Sequence, residues 1–190
     1  MTNARPRRPR KARQKSEPKA PEPLTRRKVE DLALAYLNRF DCTAKKLEQH
    51  LRGRARKLGG GAEVLGWIGE TIERYRASGM LDDARFAKNF TAQLSARGKS
   101  TRAISQKLAA RGVPSEVAGE LLAARKQDEP GAELEAARAY VRKRRLGHYR
   151  NDEKRDAMRH KDLASLARQG FSFDIAKQAL GPGASTDDEL

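Results

Sequence analysis

A single cysteine, Cys42, stands in the chain of 190 residues, and only three histidines accompany it. One thiol excludes an intrachain disulfide, and three dispersed imidazoles assemble no zinc-ligand spacing, so no metal and no cofactor is expected. Aromatic residues make up only 5% and hydrophobic residues 37%, which leaves a thin core and no large central one. No run on the order of eighteen apolar residues is present to span a bilayer, and the N-terminus lacks the apolar segment of a secretory signal. Acidic side chains are short as well: 25 Asp and Glu stand against 41 Lys and Arg, a formal charge of +16. The chain is therefore expected in the reducing cytoplasm, away from membranes, with a polyanion or an acidic protein face as its partner.

What is present is a repeat. Leu108-x-x-x-Gly112-Val113-x-x-x-Val117-x-x-x-Leu121 recurs at one fixed offset as Leu166-x-x-x-Gly170-Phe171-x-x-x-Ile175-x-x-x-Ala179. Each copy carries an apolar stripe at four-residue spacing, a Gly able to close a helix in the left-handed conformation, and a second stripe beyond it. Stacked helical units suit a thin core, because each buries one stripe against its neighbour.

The rest of the chain reads as helices without a strand. Thr25 caps a first helix reaching about Arg39, with Val29, Leu32, Ala33, Tyr36 and Phe40 on one face; Thr43 caps a second bearing Leu47 and Leu51. Gly59-Gly60-Gly61 precedes a third with Val64, Trp67, Ile68, Ile72 and Tyr75. Asp82 or Asp83 caps a fourth carrying Phe86, Phe90 and Leu94, and Ser100 a fifth with Ile104 and Leu108. A sixth starts at Pro114-Ser115-Glu116 and buries Val117, Leu121 and Leu122. After Pro130-Gly131 come a helix with Leu134, Ala137, Tyr140 and Val141, a long polar helix from about Asn151, and a last one from Ser172 to Leu180. The expected organisation is a disordered basic arm (1–24), three three-helix repeats (25–78, 79–128, 129–180) and a disordered tail (181–190). The arm holds Arg5, Arg7, Arg8, Arg10, Lys11, Arg13, Lys15 and Lys19 against Glu17 and Glu22, and reads equally as a solubilising tail or a non-specific phosphate contact.

Residues with chemical potential mostly have structural explanations. Asp82-Asp83 resembles a carboxylate pair, but it stands directly before a helix, where capping accounts for it. Gly98-Lys99-Ser100 resembles the end of a phosphate loop, yet Gln93 occupies the place of the required earlier Gly and a helix precedes it instead of a strand. Cys42 has no base beside it in sequence, Trp67 falls on a core stripe, and His50, His148 and His160 default to the surface. No catalytic residue is expected.

The basic residues carry the functional reading. Between Arg138 and Arg168, Arg142, Lys143, Arg144, Arg145, Arg150, Lys154, Arg155, Arg159 and Lys161 far outnumber Asp152, Glu153, Asp156 and Asp162. Arg138 with Arg142, and Arg155 with Arg159, share helix faces, where like charges repel unless an anion compensates. Arg97, Lys99, Arg102, Lys107 and Arg111 extend the excess into the second repeat. Charge and expected exposure select Arg102, Lys107, Arg111, Arg142, Arg144, Arg145 and Arg155 as contacts to a partner protein or DNA. Few aromatics accompany them, so base-specific stacking is not expected and any DNA binding should depend on salt.

Gly79-Met80-Leu81-Asp82-Asp83-Ala84-Arg85-Phe86-Ala87, then Arg97-Gly98-Lys99-Ser100-Thr101-Arg102-Ala103-Ile104 and Leu108-Ala109-Ala110-Arg111-Gly112-Val113, resembles the RecX family. Ala35-Tyr36-Leu37-Asn38-Arg39 and Leu166-Ala167-Arg168-Gln169-Gly170-Phe171-Ser172 extend the likeness over about Val29 to Leu180. It departs at Lys99-Ser100, where many relatives carry a second Gly. The resemblance implies an all-α fold of three tandem three-helix repeats in an elongated, curved array. It also implies a non-enzymatic regulator of the RecA recombinase that binds RecA filaments on single-stranded DNA. Such a protein limits filament growth, ATPase, strand exchange and coprotease activity. A monomer contacting RecA and single- or double-stranded DNA is expected; the alternative is a non-specific, nucleoid-associated DNA-binding module that acts without RecA.

Overall fold

The computed structural model describes residues 24–181, which leaves nearly all of the expected arm and tail outside the described residues. Those residues are all-α. Helices α1 (Arg26–Leu37), α2 (Ala44–Lys57) and α3 (Ala62–Ala77) form a first unit, and α4 (Asp83–Ala96), α5 (Thr101–Arg111) and α6 (Ser115–Asp128) a second. The third contains α7 (Ala132–Arg144), a 3-10 turn at Gly147–Tyr149, α8 (Asp152–Arg168) and α9 (Phe173–Leu180). Thr25, Thr43, Asp82, Ser100 and Ser172 sit in extended backbone, and each accepts a hydrogen bond from the amide three residues on. Each such cap is worth about 1 kcal/mol to its helix.

Every unit has its own core. In the first, Val29 and Ala33 meet Leu47, Leu51, Val64, Ile68, Ile72 and Tyr75, with Trp67 packed at the margin. Leu81 folds back onto this core, its amide donating to the Tyr75 carbonyl at 2.9 Å. Phe86, Ala87, Leu94, Ile104, Leu108, Val113 and Ala118 fill the second, and Val141, Leu166, Phe171, Ala176 and Leu180 anchor the third. Three small cores in series replace one large centre, as an elongated array of units requires.

Three expectations change. Helix α1 stops at Leu37, because the amides of Arg39 and Phe40 both turn back to the Tyr36 carbonyl; Phe40 leaves the core face and is 50% exposed. In α6 the fully buried position is Ala118, whereas Val117, Leu121 and Leu122 are half-buried, since this helix packs mainly on α4 and α5 at the margin of its unit. Pro114 occupies the cap position, one place before the first turn.

The units are joined by one device used twice. The cap hydroxyl of α2, Thr43 Oγ1, accepts from the Lys46 amide and donates to the Arg111 carbonyl at the end of α5, 2.6 Å away. The cap hydroxyl of α5, Ser100 Oγ, accepts from the Ala103 amide and donates to the Gln169 carbonyl at the end of α8, also at 2.6 Å. Beside each hydroxyl an acid crosses between units. Asp83, at the start of α4, accepts from the Ala44 amide at 2.8 Å, and Glu133, at the start of α7, accepts from the Thr101 amide and hydroxyl. Thus Asp82 caps its own helix while Asp83 caps a helix of the preceding unit.

The repeated glycines complete the joint. Gly112 (φ +81°) and Gly170 (φ +90°) hold the left-handed conformation that L side chains avoid. A Cβ at Gly112 would stand 2.8 Å from Lys45 Cβ, and one at Gly170 2.7 Å from Ser100 Oγ. Both glycines therefore let a helix end close against the preceding unit's helix start.

Ser100→Ala removes a cap and a joint bond together, so urea denaturation should show a loss of about 1–2 kcal/mol. Gly119 lies inside α6 with open space where a Cβ would stand, and Gly119→Ala should add about 0.5–1 kcal/mol. A Ser100→Ala protein as stable as its parent would remove the hydroxyl from this description of the joint.

Candidate polyanion-binding site

Helix α7 ends in Arg142-Lys143-Arg144, where cations complement the exposed carbonyls of a helix C-terminus. The next residue, Arg145, takes the left-handed conformation at φ 52°, a place where Gly would be less strained. Its amide reaches the Arg142 carbonyl and that of Leu146 the Val141 carbonyl, which closes the helix. Leu146 is buried, and the 3-10 turn then delivers Arg150 against α8.

A buried carboxylate organises this corner. Asp162 is only 1% exposed; it accepts the Gly147 amide at 2.9 Å and the Arg150 guanidinium twice, at 2.9 and 2.7 Å. Burial opposes its charge, but the Arg150 hydrogen bonds, the Gly147 amide and the Arg150 charge outweigh that and hold its pKa below the ordinary carboxylate value. The same hydrogen bonds push Arg150 further up.

Around this pair lies a depression of about 360 Å³, lined by Lys143, Arg144, Arg145, Leu146, Arg150, Lys161, Asp162, Ser165 and Arg168. Its only acid is the buried Asp162, which Arg150 already neutralises. Lys143, Arg144, Arg145, Lys161 and Arg168 are exposed, and none makes an ion pair with another described residue. Five uncompensated cations around a concave surface focus a positive field on whatever enters it.

The seven residues selected from sequence fall into separate places. Arg144 and Arg145 line the depression; Arg142 on α7 and the half-buried Arg155 on α8 lie outside its lining. Arg102 stands at the joint between the second and third units, in a groove it shares with Thr101, Glu133 and Gly170. Arg111 lies at the preceding joint with its guanidinium 5.2 Å from the Phe90 ring centroid, and Lys107 is exposed on the same helix. Lys143, Lys161 and Arg168 were not among the selected contacts. The spacing of Lys161, Ser165 and Arg168 along α8 puts them on one face, a signal that a charge count along the chain does not use.

The remaining candidates stay structural. Cys42 is buried, and burial first, then Asp41 and Asp83, push its thiol up to about 11, far from a nucleophile's range. His50, expected at the surface, is half-buried and stacks on Tyr36 at 4.2 Å; burial and Arg54 lower its pKa. Among the described residues no group of three or more His, Cys, Asp or Glu side chains converges, and no helix there is long and apolar enough to cross a membrane.

Asp162→Asn should cost about 3 kcal/mol in denaturant unfolding, near the lower bound for breaking a buried pair, because Arg150 keeps partial contact with water. Since the folded pKa of Asp162 is depressed, its contribution is complete above the unfolded value and is lost as pH falls through the folded one. Stability measured between pH 5 and pH 2 should therefore fall less steeply in Asp162→Asn than in the parent.

Comparison with known proteins agrees with this architecture. Residues 82–122 match the family model described as RecX, second three-helix domain. The regulatory protein RecX of Myxococcus xanthus (strain DK1622) is 38% identical over 169 residues, covering 86% of this chain and 89% of that protein. That of Halorhodospira halophila (strain DSM 244 / SL1) is 34% identical over 161 residues, covering 85% and 91%. In fold, the chain is similar to the crystal structure of RecX from Lactobacillus salivarius, with a TM-score of 0.62 at 21% identity over 82% of this chain and 94% of that one. With three units, a matching second-unit signature and relatives matched over most of their length at this identity, the chain belongs to the RecX family of regulatory proteins.

Proposed function

We propose that this protein regulates RecA by binding RecA filaments on single-stranded DNA and limiting their growth, and with it their ATPase, strand-exchange and coprotease activities. It acts as a cytoplasmic monomer through occupancy and carries out no chemistry. The observation that most supports this reading is the depression where α7 meets α8. Its exposed cations are left without internal partners although the chain has acidic residues that pair elsewhere, as Glu30 does with Arg74 and Glu70 with Arg26. Cations kept unpaired on a folded surface suit an anionic partner, either DNA phosphates or an acidic face of the filament. A series of joined units also supplies length, so that contacts can extend over more than one filament protomer.

Titration into a RecA ATPase and strand-exchange assay on single-stranded DNA should inhibit at well below one copy per RecA protomer. Inhibition that needs coating amounts and vanishes with moderate salt would instead support the DNA-binding module acting without RecA. Replacing Arg142, Arg144 and Arg145 together by Glu should weaken inhibition. The triple variant should also lower the slope of log affinity for single-stranded DNA against log salt by roughly two, the value for three lost phosphate contacts. Full inhibition by a folded triple variant would exclude this corner.

A further inference from the structure

The aromatic residues are too few and too scattered to mark a surface in the sequence, yet the joint between the first two units gathers four of the ten. Tyr36 stacks on His50 at 4.2 Å and meets Phe40 at 5.0 Å. Phe40, just past the end of α1, is half exposed, with the Arg39 guanidinium 5.8 Å from its centroid. Across the joint Phe86 and Phe90 stack at 5.5 Å, and Arg111 lies over Phe90. The Thr43 hydroxyl holds the Arg111 carbonyl, so the joint itself positions this cation. Arg111 is also near enough to Tyr36 for its charge to act on the phenol.

At this joint opens a cleft of about 260 Å³, lined by Asp41, Phe86, Asn89, Phe90, Gln93 and Arg111. Phe86, Asn89, Phe90 and Gln93 recur at helical spacing and so share one face of α4. Phe40, half exposed and packed on Tyr36, directly precedes the cleft-lining Asp41 in the chain, so its backbone stands at the edge of the cleft. The chemistry differs from that of the α7–α8 depression. A carboxylate at the lining repels a bare phosphate, whereas it can accept from a ring or amino N–H. Asn89 and Gln93 each offer a donor and an acceptor in one plane. Aromatic faces, guanidinia and carboxamides together are what splayed-out bases are held by.

We infer that this cleft binds an unpaired nucleobase of single-stranded DNA, with Phe40 as the stacking platform, Asn89, Gln93 and Asp41 at the base edge, and Arg39 and Arg111 beside the flanking phosphates. The inference rests on the reading that the protein meets single-stranded DNA, and adds a contact to bases to the contact with phosphate.

An oligothymidine and an abasic oligodeoxynucleotide of equal length carry the same phosphates, so their comparison isolates the bases. Fluorescence anisotropy with the full chain, without RecA, should show the oligothymidine bound roughly fivefold or more tightly, the low end for one base–aromatic stack. Phe40→Ala, at an exposed position outside every helix, should abolish that preference while affinity for the abasic strand stays unchanged. The Asn89→Ala/Gln93→Ala double variant should reduce it in the same way. Replacing Arg144 and Arg145 by Glu should weaken both strands equally and leave the preference. Equal binding of the two strands by the parent overturns the base site alone, and so does a preference that survives in folded Phe40→Ala. Failure to bind either strand overturns the base site and the DNA contact together, and leaves the RecA assay as the separate test of regulation.

Discussion

The hydroxyl that caps a helix while also holding the end of another is the constraint on which this molecule rests. Thr43 and Ser100 each have one lone-pair direction occupied by their own helix's amide and one proton given to the carbonyl of the next unit. A helix C-terminus leaves carbonyls without partners and a helix N-terminus leaves amides without them. Bringing opposite ends of α5 and α2, and of α8 and α5, to a single hydroxyl resolves both deficits at once. The crossing acids, Asp83 and Glu133, satisfy a further amide at each place and put a negative charge at a positive helix end. Without these joints three cores this small would be linked mainly by short loops and by α4 packing on α7.

Joint and function share residues, which explains where the surface chemistry collects. Because α5 is held at both ends, its side chains are carried at two joints: Arg111 at the first, Arg102 at the second. The third unit has a different arrangement. Besides the crossing Glu133, it draws Asp162 inside to hold Arg150 and the turn after α7, so the depression lined by Arg144, Arg145, Lys161 and Arg168 has no exposed carboxylate in its lining. A buried pair of this kind contributes little net stability compared with an apolar core. Its effect is to remove one negative charge from a patch that would otherwise be partly self-neutralised.

How much of this could be read from the residues depends on the distance over which each feature is determined. Caps at Thr25, Thr43 and Ser100 and the stripes around Gly112 and Gly170 are local, and local spacing exposes them, whereas Ser172, read as the first residue of the last helix, proves to be its cap. Phe40 was assigned to the core face because periodicity alone cannot register the turn at Tyr36. Asp83 was read as an alternative to Asp82 because its true partner, the Ala44 amide, lies far away in sequence. The same holds for the candidate site. Arg144 and Arg145 stand out as charge, but Lys161 and Arg168 emerge only once α8 is placed against the end of α7. The cleft of Phe86, Asn89, Phe90, Gln93 and Arg111 is a product of the joint, and counting aromatics gives no sign of it.

The start of α8 closes the series. Its flanking residue, Asn151, occupies the place of Thr43 and Ser100, yet makes no side-chain cap bond. The helix then opens with Asp152-Glu153 where α2 has Ala44-Lys45 and α5 has Thr101-Arg102. The connector therefore has a direction. Each unit receives a helix end from the unit after it, and among the described residues the last helix start in the row, that of α8, is the one place where the receiving hydroxyl is replaced by an amide that makes no such bond, like a row of couplings whose final hook is of another make.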